Sequence, residues 1–229
     1  METKKSSNRV KMKVYNSCTP IPIHKIKELD ENTNRLGVMG AEICSEMNNK
    51  QRKKDYLLPF LTGLRLDYGW HLDRKIEPED NGFGDNCWVY AVNENGDIDR
   101  DEINYLKRFR VVNEDGFWQL YLLHNSITVM PAFWHGFYLV RGYVFTLKDL
   151  KYLEYMSDED KELYSQKKLL LPKVSLRGNV ATIKVTYWHD NDGLCRDTVK
   201  ISVDEDGRMN SIKTARRDII VKTFVHIMY

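Results

Sequence analysis

The chain reads Val199-Lys200-Ile201-Ser202-Val203-Asp204-Glu205-Asp206-Gly207 near its end, a β-branched run that alternates with polar residues and closes on an acidic turn. Asp and Asn tolerate left-handed backbone and Gly accepts positive φ, so an Asx-Gly pair between strand-like runs predicts a tight hairpin. The same phrase recurs at residues 93–96, 113–116 and 190–193. Runs rich in β-branched and aromatic residues adjoin these phrases at 87–90, 117–122 and 180–187.

These patterns predict an α+β protein whose antiparallel sheet, or sheets, are built from hairpins with Asx-Gly turns. The 229 residues are enough for one large domain or two modest ones. Composition and patterning divide the chain into a flexible tail at 1–8, a helical N-terminal part with one strand at 9–80, a first β-rich portion at 81–145, a helical insertion at 146–168 and a second β-rich portion at 169–229. Whether these parts form one domain overall stays open at this point.

Composition and cysteine usage limit the class of protein. Charged residues make up 30% of the chain and hydrophobic ones 42%, which is typical of a globular protein. No apolar stretch is long enough to span a bilayer, and the first residues lack the apolar core of a signal peptide. We therefore expect an intracellular or virion protein, neither secreted by a signal peptide nor transmembrane. The four cysteines form no Cys-x-x-Cys pair, which favours reduced thiols over a disulfide framework or zinc ribbon.

Residues 91–102 follow much of the spacing of an EF-hand calcium loop, with Gly96 at the sixth place. The candidate metal ligands are Asn93, Asn95, Asp99 and Glu102. Ala91 stands at the first place, where the motif needs a carboxylate, and a strand-like run precedes it where the motif needs a helix. The pattern therefore favours a hairpin turn, with a calcium site as the alternative.

Residues 84–91, Gly-Asp-Asn-Cys-Trp-Val-Tyr-Ala, resemble the nucleophile segment of papain-like proteases and transglutaminases. In those families a Cys-Trp pair follows a glycine and opens a helix, whose amino terminus lowers the pKa of the thiol. The resemblance implies a thiol hydrolase or acyltransferase with Cys87 as nucleophile and His135 or His189 as base. Asn93-Glu94-Asn95-Gly96 ends any element begun at Cys87 within about two helical turns. We therefore expect Cys87 to begin a buried strand, with the thiol enzyme as an alternative function.

Basic clusters make nucleic-acid binding a second alternative function. The candidate phosphate contacts are Lys53, Lys54, Arg216 and Arg217. A net charge of +2 is small for a dedicated nucleic-acid binder, and a charge run is usually a solvated face. Such a binder would present one contiguous positive face. The sequence contains no glycine-rich phosphate loop and no close pair of histidines, so we expect no cofactor and no local metal site.

The segment Pro131-Ala132-Phe133-Trp134-His135-Gly136-Phe137-Tyr138 carries large rings at adjacent positions. Adjacent residues of a strand face opposite sides, so both faces of such a strand would carry rings that need cover. The cover is either another part of this chain or a partner subunit, because aromatic residues are enriched at the cores of interfaces. We predict an interface at Phe133, Trp134, Phe137 and Tyr138. The function expected is a non-enzymatic structural or interaction subunit of a homo- or hetero-oligomeric assembly, for example a phage connector, tail or other virion component.

Overall fold

The structure, a computed structural model, describes residues 17–36, 58–78, 85–99, 105–127, 133–134, 137–138, 142–149, 157–165, 171–189 and 192–221. These residues form three α-helices: α1 (Ile23–Leu36), α2 (Asp115–Ile127) and α3 (Asp158–Ser165). Three 3-10 helices lie at Leu58–Phe60, Tyr105–Arg108 and Leu147–Asp149. No described helix combines the length and apolar character needed to cross a membrane.

The described strands are β1 (Ser17–Pro20), β2 (Leu64–Leu66), β3 (Trp70–Pro78), β4 (Asp85–Asn93), β5 (Ile98–Asp99), β6 (Phe109–Val111), β7 (Phe133–Trp134), β8 (Phe137–Tyr138), β9 (Gly142–Tyr143), β10 (Lys173–Arg177), β11 (Val180–His189), β12 (Gly193–Val203) and β13 (Met209–Val221). The main sheet has the order β1-β10-β11-β12-β13, with every neighbouring pair antiparallel. Strand β9 pairs with the end of β11, beyond the reach of β10. Separate small sheets are formed by β2-β6, β3-β4-β5 and β7-β8.

The main sheet has one face toward the hydrophobic core, here called the inner face, and one facing away from it, the outer face. Alternate residues of a strand point to opposite faces, and the burial follows that period. In β12, Val199, Ile201 and Val203 are buried, whereas Lys200 is exposed. The same alternation in β10 and in the first half of β11 places polar and charged residues outward.

Helix α2 lies at the centre of the core. All residues from Gly116 to Leu123 are buried, including both Trp118 and the polar Gln119. A helix that is apolar on nearly all sides needs cover on all sides. The inner face of the main sheet, α1 and the β2-β6 sheet belong to the same buried cluster and provide this cover.

The structure corrects the prediction that 113–116 closes a hairpin and that Phe117 to Leu122 is a strand. Asn113 instead accepts a hydrogen bond from the Asp115 amide through its side-chain oxygen (3.0 Å), and α2 begins at Asp115. Asx residues favour helix starts as well as turns, and a short apolar run cannot be assigned to helix or strand by periodicity. The portion 81–145 is therefore not purely β-rich.

The N-terminal part at 9–80 also differs from the prediction of one strand. It contains β1, β2 and β3, and β1 joins the main sheet beside β10. Helix α1 is the described α-helix of this part. The predicted tail at 1–8 lies outside the described residues.

Three of the four turn glycines have positive φ: Gly96 (83°), Gly193 (88°) and Gly207 (82°). Gly96 lies between β4 and β5 and Gly207 between β12 and β13, whereas Gly193 is the first residue of β12 and pairs with His189 of β11. The structure therefore has the predicted mixed α+β class, with antiparallel sheet.

Candidate functional site

The outer face of the main sheet carries a concentration of positive charge. Cross-strand partners point to the same side of a sheet, so the register of the strands determines which side chains are neighbours. One row across the sheet reads Lys173, Lys184, Thr198 and Arg216, and the next reads Ser175, Thr182, Lys200 and Lys213. On the same face, Arg196 lies in the row that precedes these two and Arg177 in the row that follows them. The face thus combines cations with hydroxyl groups.

Two of these neighbours are lysine pairs directly opposite each other: Lys173 with Lys184, and Lys200 with Lys213. Neighbouring strands lie about 4.8 Å apart, so the two ammonium groups of each pair share one small region of surface. Like charges in this position destabilise a sheet. No described carboxylate forms an ion pair with any of these four lysines.

The single described carboxylate on this face is Asp218, at its edge on β13. It accepts a hydrogen bond from Arg216 Nε at 2.7 Å, and the Arg216 side chain is 73% exposed. An exposed pair of this kind contributes about 0–1 kcal/mol to folding. Acidic residues Asp204, Glu205 and Asp206 occupy the β12-β13 turn, beyond the last row. The centre of the face is therefore uniformly positive.

Arg217 lies on the inner face and forms an ion pair with a buried carboxylate, although its own side chain is 37% exposed. Its Nε and Nη2 donate to Asp197 Oδ1 and Oδ2 at 2.9 and 3.2 Å, and Asp197 is fully buried. The Tyr187 hydroxyl donates to Oδ2 of the same carboxylate at 3.2 Å. The hydrogen bonds to Asp197 raise the pKa of Arg217 above its usual value, although burial acts in the opposite direction. Arg217 is therefore structural, whereas Arg216 belongs to the basic face.

A second group of arginines lies where the small β2-β6 sheet meets the start of β13, next to the acidic β12-β13 turn, in which Asp204 Oδ1 accepts the Arg208 amide at 2.9 Å. A single antiparallel bridge joins Arg110 to Arg208, immediately before β13. The flanking Phe109, Val111 and Met209 are buried, so both arginines point away from the core. Arg65 pairs with Arg110 in the register and is exposed, which makes a third row of three arginines: Arg65, Arg110 and Arg208.

Asp67 holds two of these arginines in place. Its carboxylate accepts hydrogen bonds from Arg208 Nη1 at 2.8 Å and Arg110 Nε at 3.0 Å, and its side chain is 10% exposed. The guanidinium carbon of Arg108 lies 3.9 Å from the centroid of the Trp70 ring, which is a stacking contact. Arg110 and Arg208 thus share the one carboxylate of Asp67.

Cys87 lies inside β4, paired with Ile76 of β3. The resemblance to papain-like proteases and transglutaminases requires a helix that opens at this cysteine, and the strand continues from Asp85 to Asn93 without one. The structure therefore contradicts the helix on which the thiol nucleophile depends. His135 lies outside the described residues, and His189 is the last residue of β11, paired with Gly193.

The loop after β4 is a hairpin turn and lacks the form of an EF-hand. The side-chain oxygen of Asn93 accepts the amides of Asn95 and Asp97 at 3.0 and 2.8 Å, so it is occupied by the main chain. Asp99 lies in β5, and Glu102 is outside the described residues. In the described part of the chain, no three His, Cys, Asp or Glu side chains are grouped as metal ligands.

Strands β7 and β8 contain the four predicted interface residues, paired as Phe133 with Tyr138 and Trp134 with Phe137. The interface stays a prediction. Lys53 and Lys54 lie outside the described residues, so the structure bears on Arg216 and Arg217 only.

A small crevice between α1, α2 and the inner face, with a volume of only about 10 Å³, is lined mostly by apolar residues such as Ile26, Trp118 and Val185. No carboxylate, imidazole or thiol lines it, and its hydroxyl groups come from Tyr121, Tyr143 and Thr186.

Comparisons with protein-family models, with curated proteins and with solved structures give no match for this chain.

The basic face was missed at the sequence level because its members never form a run. Lys173, Lys184, Lys200 and Lys213 come from four strands and each lies between residues that point inward. The available signal was a period of two, with a cation or hydroxyl at alternate places in residues 196–202. Contiguous charge clusters, by contrast, divide between the two faces of a strand.

Proposed function

We propose that the protein is a non-enzymatic binding module that holds nucleic acid on the outer face through contacts to phosphates. The observation that carries the proposal is the pair of opposed lysines, Lys173 with Lys184 and Lys200 with Lys213, on a face whose centre has no described carboxylate. A polyanion bound there supplies the missing negative charge and relieves the repulsion. The arrangement costs stability in the isolated protein and becomes favourable in the complex.

The chemistry of the face favours the sugar-phosphate backbone over the bases. The described outer positions of β10 to β13 that are exposed carry Lys, Arg and Ser, together with the apolar Val180, and no aromatic ring. Cations and hydroxyls contact phosphate oxygens, and such contacts carry affinity without sequence preference. The ligand expected on this face is therefore a duplex or single strand of any sequence.

The test is fluorescence anisotropy of a labelled duplex of about 20 base pairs, as DNA and as RNA, titrated at several salt concentrations between about 50 and 200 mM. Six outer cations lack a described carboxylate partner: Lys173, Arg177, Lys184, Arg196, Lys200 and Lys213. If all six contact phosphates, the logarithm of affinity falls against the logarithm of salt with a slope of about −5.

The decisive variant is the double substitution Lys200→Gln with Lys213→Gln, which removes one opposed pair. We expect on the order of a 10-fold loss of affinity at low salt and a slope smaller by about 2, because two phosphate contacts are lost. Its matched control is Lys25→Gln with Lys161→Gln, the same change in charge made on helices α1 and α3. An equal loss of affinity in both double variants would show that binding depends on net charge alone, and it would overturn the outer face as the binding site.

Vesicles containing an anionic lipid are the competing polyanion. Binding to these vesicles without binding to either duplex would overturn nucleic acid as the ligand, because the same cations also attract lipid headgroups.

The role of an assembly subunit is a second proposal, supported by the register of β7 and β8. Both cross-strand pairs of this ribbon consist of two aromatic residues, Phe133 with Tyr138 and Trp134 with Phe137. Aromatic residues are enriched at interface cores. The test of this role is the Trp134 variant described in the Discussion.

A further inference from the structure

The turn between β2 and β3 presents an aromatic ring beside the arginine row. Tyr68 is fully exposed, at 100% of its reference surface. The turn is closed by a hydrogen bond from the Trp70 amide to the Asp67 carbonyl at 3.1 Å, and Gly69 has a φ of 77°. Glycine meets this geometry without strain, so the turn places Tyr68 at its tip.

Asp67 fixes the base of this turn on two sides. Its amide donates to the Arg108 carbonyl at 2.8 Å, and its carboxylate accepts from Arg110 and Arg208. The Trp70 side of the turn is held by the guanidinium of Arg108, stacked 3.9 Å from the ring centroid. The exposed ring of Tyr68 is therefore carried by a turn whose backbone is anchored beside Arg110 and Arg208.

The surroundings of Tyr68 are positively charged. Arg110 and Arg208 bind the carboxylate of Asp67, Arg65 is the register partner of Arg110, and Arg108 stacks on Trp70. A ring with both faces open to solvent beside cations is the arrangement with which proteins hold single-stranded nucleic acid, since the cations bind phosphates while a base stacks on the ring. The exposed outer positions of the described main sheet carry cations but no aromatic ring.

We propose that a base of the bound nucleic acid stacks on the ring of Tyr68. The ligand of the outer face would then include unpaired nucleotides, which bind at the β2-β3 turn. This inference rests on the proposed nucleic-acid binding and specifies its substrate class. In a duplex the bases are stacked on each other and unavailable to Tyr68, so the turn adds affinity only for a single strand. The main sheet contributes to both ligands through phosphates.

The experiment measures anisotropy with two probes, an oligouridylate of about 20 nucleotides and the same strand annealed to its complement. Tyr68→Ala is expected to weaken single-strand binding roughly 5- to 100-fold, the range for loss of one stacked base, and to leave duplex binding within about 2-fold. Tyr68→Phe keeps the ring and is the matched control, with near wild-type affinity for both probes. A thermal melt of each variant checks the fold. Its melting temperature should equal that of wild type, because the Tyr68 side chain is fully exposed.

The outcomes separate this inference from the proposal beneath it. If wild-type protein binds neither probe, the proposed function fails. If wild-type protein binds both probes and Tyr68→Ala binds the single strand as tightly as wild type, the stacking platform is overturned while the phosphate-binding face stands. An equal loss for both probes would also overturn stacking, because it would make Tyr68 a general contact.

Discussion

Arg216 and Arg217 are neighbours in β13 that lie on opposite faces of the main sheet. Arg216 pairs with the exposed Asp218 at 2.7 Å on the outer face, whereas Arg217 forms two hydrogen bonds with the fully buried Asp197 on the inner face. The two guanidinium groups therefore differ in environment although the residues are adjacent in the sequence. The difference gives them separate roles, one in the basic face and the other in the fold.

The first prediction compares these two arginines. Arg217→Met should lower the free energy of unfolding by about 3–5 kcal/mol, because the buried carboxylate of Asp197 loses its counter-charge. Arg216→Met should change it by less than about 1 kcal/mol, since its ion pair is exposed. Urea unfolding of both variants tests the difference. Equal free energies of unfolding for the two variants would contradict the ion pair between Arg217 and the buried Asp197.

The second prediction concerns Gly207, in the β12-β13 turn. A Cβ added there would clash with the Val111 carbonyl oxygen, and the Gly207 carbonyl accepts the Val111 amide at 2.8 Å. Gly207→Ala should therefore cost on the order of 3 kcal/mol, combining backbone strain with displacement of β6. Gly96 has a similar φ of 83° and open space around it. Gly96→Ala should therefore lower the free energy of unfolding by about 1 kcal/mol through backbone strain alone. Equal losses in thermal or urea unfolding would argue against the close contact with Val111.

The third prediction is a pH dependence at Asp149. Its carboxylate accepts the amides of Thr146 and Phe145 at 2.8 and 3.1 Å and lies 3.7 Å from Lys27 Nζ. Burial tends to raise the pKa of Asp149, but these hydrogen bonds and Lys27 bring it below the ordinary value of 3.8. The charged form is thus the one that stabilises the fold.

Because the folded-state pKa of Asp149 is depressed, its contribution is fully present above about pH 4 and is lost as the pH falls through the folded-state value. Asp149→Asn should cost on the order of 1 kcal/mol at neutral pH, and its difference from wild type should shrink on acidification. Urea unfolding across this pH range measures both. Glu205→Gln, in the exposed β12-β13 turn, is the control and should show neither effect. A difference that grows on acidification would refute the assignment.

The fourth prediction concerns two cysteines in different environments. Cys18 is exposed on β1, with the Ser175 hydroxyl donating to its sulfur at 3.3 Å, whereas Cys195 is fully buried. A thiol reagent should label Cys18 at least about 100-fold faster than Cys195 in the native state, because Cys195 reacts only after local opening. Peptide mapping by mass spectrometry gives both rates, and Cys18→Ser confirms the assignment. Similar rates would contradict the burial of β12.

The fifth prediction tests the aromatic ribbon. If Trp134 anchors an interface, Trp134→Ala should weaken association by on the order of 2 kcal/mol and leave the melting temperature nearly unchanged. Trp118→Ala, in the buried helix α2, is the matched control and should cost about 3–5 kcal/mol of folding stability. Light scattering and a thermal melt of both variants measure the two effects. A large loss of stability in Trp134→Ala without a change in solution mass would assign the residue to the core.

The strands of the C-terminal half could be predicted because their determinants are local. Residues 180–187 and 199–203 alternate in polarity and end at Asx-Gly phrases, and they lie in β11 and β12. The helix at Asp115–Ile127 could not be predicted in the same way. Its apolar run is compatible with a buried strand or a buried helix, and the choice depends on packing against the sheet, α1 and Gly63.

The sequence by itself determined the α+β class and the antiparallel character of the sheet, because alternation of polarity and turn chemistry act between residues close in the chain. The tertiary structure alone decided the candidate site. Lys173, Lys184, Lys200 and Lys213 become neighbours only through strand register, and Arg110 meets Arg208 only where the small sheet joins β13. These contacts join residues distant in the chain, so local propensity holds no information about them. The physical reason is that register and sheet order are selected by burial of the inner face, and the charge pattern of the outer face follows from that choice.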